Sequence, residues 1–187
     1  AERRHEPDLV MYPPGERDFH AVVTAIEPRS PQNILAIGAD SWASPPRQDA
    51  MARARDSGDT HITPKLQLVI DRGVSIPSFL MYQAVYRHGA LPGSQFERRQ
   101  QLQGFVVAAV RLKTLIEGIF PAGLHDVAFQ IYDNGDTAPS PDTLYYSSHP
   151  QETARNPMFR VEKPLVIGGR TWRVSYASRD VFVPAME

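Results

Sequence analysis

The sequence predicts an α+β fold made of two antiparallel sheets with helices. Three observations lead there. Short runs rich in β-branched and aromatic residues recur at 19–26, 34–39, 66–70, 79–87, 103–110, 127–133, 143–147, 159–167 and 170–176, the pattern of strands. Only two stretches, 45–56 and 112–119, carry helix signals. Between the first five strands and the last four, Phe120-Pro121-Ala122-Gly123 breaks the chain. That break is the expected boundary between a larger unit, 1–120, and a smaller one, 121–187.

Residues 1–17 contain Pro13-Pro14 before Gly15 and read as extended or turn structure. The strand at 19–26 carries Val22, Val23, Thr24 and Ile26. In the strand at 34–39, alternation puts Ile34, Ala36, Gly38 and Asp40 on one face. Ser44 followed by Pro45-Pro46 starts a helix. That helix turns Ala50, Met51 and Ala54 inward, its charges outward, and stops at Gly58. In 66–70, Leu66, Leu68 and Ile70 share a face. The 79–87 strand has no uniformly polar face, so it is expected to be central and covered on both sides. Residues 88–96 read as a loop, and 103–110 as a strand apolar on both faces. The 112–119 helix carries a stripe of Leu112, Leu115, Ile116 and Ile119. Beyond the break, Asp133-Asn134-Gly135 marks a turn, and Gly168-Gly169 reads as a two-residue hairpin connection.

Composition narrows the function. The chain has 187 residues, 42% apolar and 22% charged, with a net charge of −1. This balance argues against a nucleic-acid surface or a polybasic membrane patch. There is no cysteine, which removes disulfides, thiolate zinc sites and cysteine nucleophiles. The longest uninterrupted apolar run, 105–110, is far short of the roughly 20 residues of a membrane span. No signal peptide is visible, and the abrupt ends read as those of an excised piece.

Catalytic signatures are sparse. His5, His20, His61, His88, His125 and His149 are scattered, with no HxxxH or HExxH spacing. Neither a nucleophile elbow nor a phosphate-binding loop is present. His20 reads as a packed or hydrogen-bonded histidine. No cofactor, metal or catalytic residue is expected, although a hydrolase stays open because triads are spatial. The clearest candidate site is Asp40. Ala36 and Gly38 on its face are small enough to leave space beside a carboxylate. The alternative is that Gly38 only relieves crowding and Asp40 only caps the turn. Trp42, in that turn, either lids a pocket or packs the helix onto the sheet. Phe79 and Phe105 are pocket walls or core.

The chain also resembles a known family. The carrying pieces are ERDFHAVVTAIEP (16–28), NILAIGADSWASPPRQDAMARARDSG (33–58), FLMYQAVYR (79–87) and ERRQQLQGFVVAAV (97–110). FQIYDNGD (129–136) and GGRTWRVSY (168–176) match more weakly. In order and spacing they resemble the CHASE domain, a sensor of bacterial histidine kinases and cyclases and of plant cytokinin receptors. The resemblance implies two PAS-like units, membrane-distal (1–120) then membrane-proximal (121–187), with the family's N-terminal stalk helix and flanking transmembrane helices outside this chain. It implies a periplasmic or otherwise extracytoplasmic input domain that binds a small ligand and signals to a cytoplasmic kinase of a two-component system or a diguanylate cyclase. In plant members an aspartate at the end of the second strand hydrogen-bonds an adenine-type ligand; the matching position is Asp40. Further family positions fall on or beside Tyr82 and, as a backbone contact, nearest Leu68 or Val69, of which Leu68 is taken. With Trp42 and Phe105 these form the expected ligand-binding set. Plant receptors carry a small hydroxyl residue where Tyr82 stands, and its larger ring would crowd a cytokinin tail. The expected partners are a small ligand and, in the full receptor, a second copy as homodimer, with no nucleic acid. The alternative is a protein-interaction or dimerisation module without its own ligand.

Overall fold

Strand β2 (Ser78–Tyr86) buries one face along its length, Ser78 to Tyr86, and the start of the other at Phe79, whereas Val85 on that second face is exposed; its two faces enter different cores. Phe79 joins Ile62, Leu112 and Ile116 and residues of the second sheet in one cluster. Leu80 and Tyr82 join Ala50, Met51, Ala54 and Leu68 in the other. The computed structural model describes residues 9–71, 74–89, 91–121, 123–133, 140, 143–150 and 157–181. Within these the fold is α+β, with two antiparallel sheets, as expected.

The first sheet runs β1 (His61–Ile62), β2, β3 (Leu102–Arg111). β2 and β3 pair Phe79 with Val110, Tyr82 with Val107 and Ala84 with Phe105. Helix α1 (Pro45–Ser57) lays Ala50, Met51 and Ala54 on this sheet, the face its sequence marks out. Ser44 sits at its N-cap position without a side-chain cap bond, and Gly58 closes it. The Tyr86 hydroxyl donates to the Arg55 carbonyl at 2.7 Å, tying helix to strand.

Helix α2 (Gln95–Gln101) lies where the expected loop and strand meet. Ser94 and Glu97 form a full capping box there. Asp56 of α1 accepts from Arg99 and Gln95 of α2. The Arg99 guanidinium holds the Asp56 pKa well below the usual carboxylate range, against the upward push of burial. Helix α3 (Leu112–Ile119) follows β3 directly and buries Leu112 and Ile116.

The second sheet has the order β5 (Leu144–Ser147), β4 (Val127–Tyr132), β7 (Arg170–Ser178), β6 (Arg160–Ile167). Gly168 and Gly169 turn the β6–β7 hairpin with φ of 50° and 72°, the double positive φ of a type I′ turn. The two sheets meet over Phe79, Tyr145 and Trp172, whose rings pack edge-on or tilted. Backbone bonds cross the seam: the Ile62 amide donates to Gly168 and the Lys65 amide to the Asp133 carboxylate, both at 2.9 Å.

Three expected strands are not strands. Residues 19–26 contribute one bridge, Val22 to Asp40. Residues 34–39 are mostly the 3₁₀ turn Asn33–Ala36, because the Ser30 hydroxyl captures the Asn33 amide and the Asn33 side chain reaches the Pro28 carbonyl. Such local side-chain bonds compete with sheet pairing. Residues 66–70 keep one bridge at Leu66, then enter the 3₁₀ turn Val69–Asp71, where Arg111 pairs with the buried Asp71 carboxylate. Of the five strands expected in this sheet two remain, β2 and β3, and the short β1, not expected from the sequence, makes the third. β3, apolar as expected, is left at its edge with Val106 63% exposed.

Candidate functional site

Asp40 lies between two extended segments. The Tyr12 amide donates to the Gly38 carbonyl and the Asp40 amide to the Tyr12 carbonyl. On the other side Val23 exchanges bonds with Gly38 and Ala39, and the Ser41 amide donates to Ala21. Gly38 has φ +89°, and a Cβ there would lie 2.2 Å from the Val10 carbonyl oxygen. The space expected beside Asp40 on the Ala36–Gly38 face is thus taken up by the incoming chain at Val10 to Tyr12.

Asp40 is itself buried. Its Oδ1 accepts the amides of Ala21 and Trp42 at 2.9 and 3.0 Å. Oδ2 lies 2.9 Å from His20 Nδ1 and accepts from Arg17 at 3.3 Å. Burial alone would raise its pKa. The Ala21 amide, His20 and the Trp42 amide outweigh burial and hold it below the usual value. The arginine on the carboxylate is Arg17. The amide bond to Trp42 makes Asp40 the cap of the short turn Ser41–Ala43. Capping, one of the two readings open from the sequence, is therefore part of what this residue does.

The other four expected residues gather in one cluster. Tyr82 and Leu68 are in the α1–β2 core, and Trp42 and Phe105 pack against it. Phe105 meets Tyr82 edge-on at 6.2 Å, and Trp42 meets Phe19 edge-on at 4.7 Å. The Tyr82 hydroxyl is fully buried with no hydrogen-bond partner of acceptable geometry. Burial raises its pKa, and the neighbouring Ser41 hydroxyl and Arg47 guanidinium oppose the rise. Ser41 is also buried and follows Asp40 directly, so it bridges the carboxylate turn and the Tyr82 core. Arg17 and Ser41 lie inside the pieces 16–28 and 33–58, but nothing in those pieces assigned them to the site. His20 is hydrogen-bonded as expected.

Two serine–histidine pairs are close, Ser57 with His61 at 3.1 Å and Ser148 with His149 at 2.9 Å. Among the described residues neither imidazole bonds to a carboxylate, the group that orients the base in a triad. No cluster of metal-ligating side chains occurs among the described residues. Nor is any helix among them long and apolar enough to cross a membrane.

Residues 1–146 match a family model, most of the chain. The family it describes is a class of receptor sensor domains, sensory and not catalytic. The chain belongs to that family, the CHASE domain, whose members are extracytoplasmic. No curated protein matches the chain.

Proposed function

We propose that this chain is the extracytoplasmic input domain of a transmembrane receptor. It binds a small ligand bearing N–H groups, of the adenine or cytokinin type, beside Asp40 and Tyr82. Trp42, Leu68 and Phe105 form its apolar surround. Residues 1–120 act as the membrane-distal binding unit and 121–187 as the proximal unit that passes the change on. The output is a cytoplasmic histidine kinase or diguanylate cyclase, and the full receptor is a homodimer.

The observation that carries this reading is the buried Tyr82 hydroxyl next to the Ser41–Asp40 turn, which has the Ser41 hydroxyl beside it but makes no well-aligned hydrogen bond. Leaving such a group unpaired costs about 1–3 kcal/mol, which a polar ligand atom would recover. At Asp40 the incoming N–H groups would replace His20 and Arg17, which are partly exposed, and leave the two backbone amides in place. Signalling follows only if the ligand prefers one of two conformations, since equal affinity shifts nothing.

The test is a thermal-shift screen of the chain and of Tyr82→Phe and Asp40→Asn against adenine-type cytokinins, other purines, amino acids and short carboxylates. A ligand at 100-fold excess over Kd adds roughly 2.7 kcal/mol, a rise of about 5–10 °C for a chain this size. The rise should shrink in both variants. An equal rise in all three proteins would remove the site from Asp40 and Tyr82.

A second reading, an interaction or dimerisation module, is favoured by β3. It is an edge strand with Val106 and Val107 exposed and no charge from Leu102 to Val110, the kind of edge that invites pairing. Silence of the whole panel, with a concentration-dependent dimer in solution, would support it instead.

A further inference from the structure

A cavity of about 150 Å³ lies between α3 and the β4–β5 edge of the second sheet. It shares no residue with the Asp40 and Tyr82 cluster. We infer that it is a binding site for a small aromatic carboxylate, one six-membered ring carrying one anionic group.

Size sets the ring. An engineered apolar cavity of about 150 Å³ in another protein admits benzene. The walls here suit the same guest. Ile116 and Phe120 come from the α3 end, Leu124 from the following loop and Phe129 from β4. Phe129 already meets Phe120 at 6.1 Å with planes 65° apart, and Tyr146 at 5.4 Å with planes 36° apart. These offset and edge-on arrangements are the ones a further aromatic ring joins favourably.

Polarity sets the anionic group. Ser148, His149 and the exposed His125 supply the polar part of the lining. Ser148 is fixed from the backbone: its Oγ accepts the Phe129 amide at 2.9 Å, and its own amide donates to the Phe129 carbonyl at 3.0 Å. The same Oγ lies 2.9 Å from His149 Nδ1 and so orients that ring. With Nδ1 engaged by the Ser148 hydroxyl, Nε2–H remains to donate to a ligand, and a carboxylate is the acceptor that makes such a bond charge-assisted. One acidic residue bears on the aromatic wall: Glu117 acts on Tyr146. An aromatic pocket beside a carboxylate could instead hold an organic cation, so the test includes one.

The experiment is ligand-observed NMR titration of the chain with benzoate, toluene and tetramethylammonium, repeated on His149→Gln and Leu124→Trp. Benzoate should bind at millimolar or better affinity. His149→Gln should weaken benzoate by about tenfold or more, the loss of one charged hydrogen bond, and leave toluene unchanged. Leu124→Trp, which fills the half-buried loop wall, should abolish both. Should Leu124→Trp fail to fold, the His149→Gln contrast between benzoate and toluene decides alone. Absence of benzoate binding, equal binding by His149→Gln, or preference for tetramethylammonium would overturn the assignment. Tyr82→Phe should leave benzoate untouched, which separates failure here from failure of the site proposed at Asp40.

Discussion

Two buried carboxylates show how differently the two ends of this molecule are held. Asp133 accepts the Lys65 amide and two guanidinium nitrogens of Arg170, and it closes a seam already filled by Phe79, Tyr145 and Trp172. Asp40 has four donors to the three on Asp133, but from residue 9 to residue 44 the buried residues are only Gly38, Ala39, Asp40 and Ser41. Around Asp133 apolar burial dominates and the polar bonds fix register. Around Asp40 the polar bonds and one glycine do most of the holding. A segment held that way opens with less free energy than a packed core, as the ligand site proposed there requires.

The contrast is sharpest at β2, which serves both cores. Phe79→Ala removes a ring 1% exposed from the inter-sheet cluster and should cost about 3–5 kcal/mol. In denaturant melts the loss should appear in the whole transition. A loss confined to residues 9–44 by hydrogen exchange would mean that the sheets do not depend on their shared aromatic core.

Gly38→Ala acts on the other end. The new methyl meets the Val10 carbonyl, and φ of +89° is unfavourable for any residue with a Cβ. The cost should be about 2 kcal/mol. Its signature should be local: faster exchange of the Tyr12 and Asp40 amides, with β4 and β7 protected as before. Equal loss of protection across both sheets would erase the distinction drawn between the two regions.

What could be read from the sequence follows the same divide. α1, α3, β2 and the Gly168-Gly169 hairpin announce themselves through apolar periodicity, proline at a helix start and turn glycines, and they lie where expected. The 34–39 stretch has equally good strand residues, yet Ser30 and Asn33 claim its backbone for a 3₁₀ turn. α2 was legible in Ser94-Gln95-Phe96-Glu97, a capping-box pattern obscured by the Gly/Pro loop before it. At the site, alternation along β2 puts Leu80 and Tyr82 on one face, and the structure gathers Tyr82 with Leu68, Trp42 and Phe105. It could not reveal that Val10 fills the space beside Gly38, or that Arg17 and His20 cover Asp40. Those contacts join segments that are distant in sequence and carry no pattern.

Asp40→Asn tests the polar end by charge. Asn keeps one acceptor oxygen for a backbone amide and presents an amino group to Arg17 or His20, so the loss at neutral pH should be about 1–2 kcal/mol. The folded pKa of Asp40 lies below its ordinary value of 3.8. Its contribution is therefore complete above that value and disappears as pH falls through the lower, folded one. The gap in Tm between wild type and Asp40→Asn should begin to narrow only as pH falls below 3.8 and go on closing as it passes the lower, folded value. A gap that persists in acid would show that shape, and not charge, makes Asp40 matter.

Tyr82→Phe should have the smallest effect on stability and the largest on meaning. The ring stays, and with it the contacts to Phe105 and α1. Only a hydroxyl that is buried and unpaired is lost. Removing one partner of a satisfied bond destabilises, whereas removing a group that has no partner is neutral or mildly stabilising. The unliganded stability should thus stay within about 1 kcal/mol of wild type, or rise slightly. A clear fall would mean that Ser41 satisfies the hydroxyl in solution, and the position would then be ordinary core. A neutral change combined with loss of a ligand-induced shift would mean that the cost of an orphan hydroxyl is retained for binding. The polar end of the molecule would then owe its weak packing to function, and the aromatic seam would be the frame against which it moves.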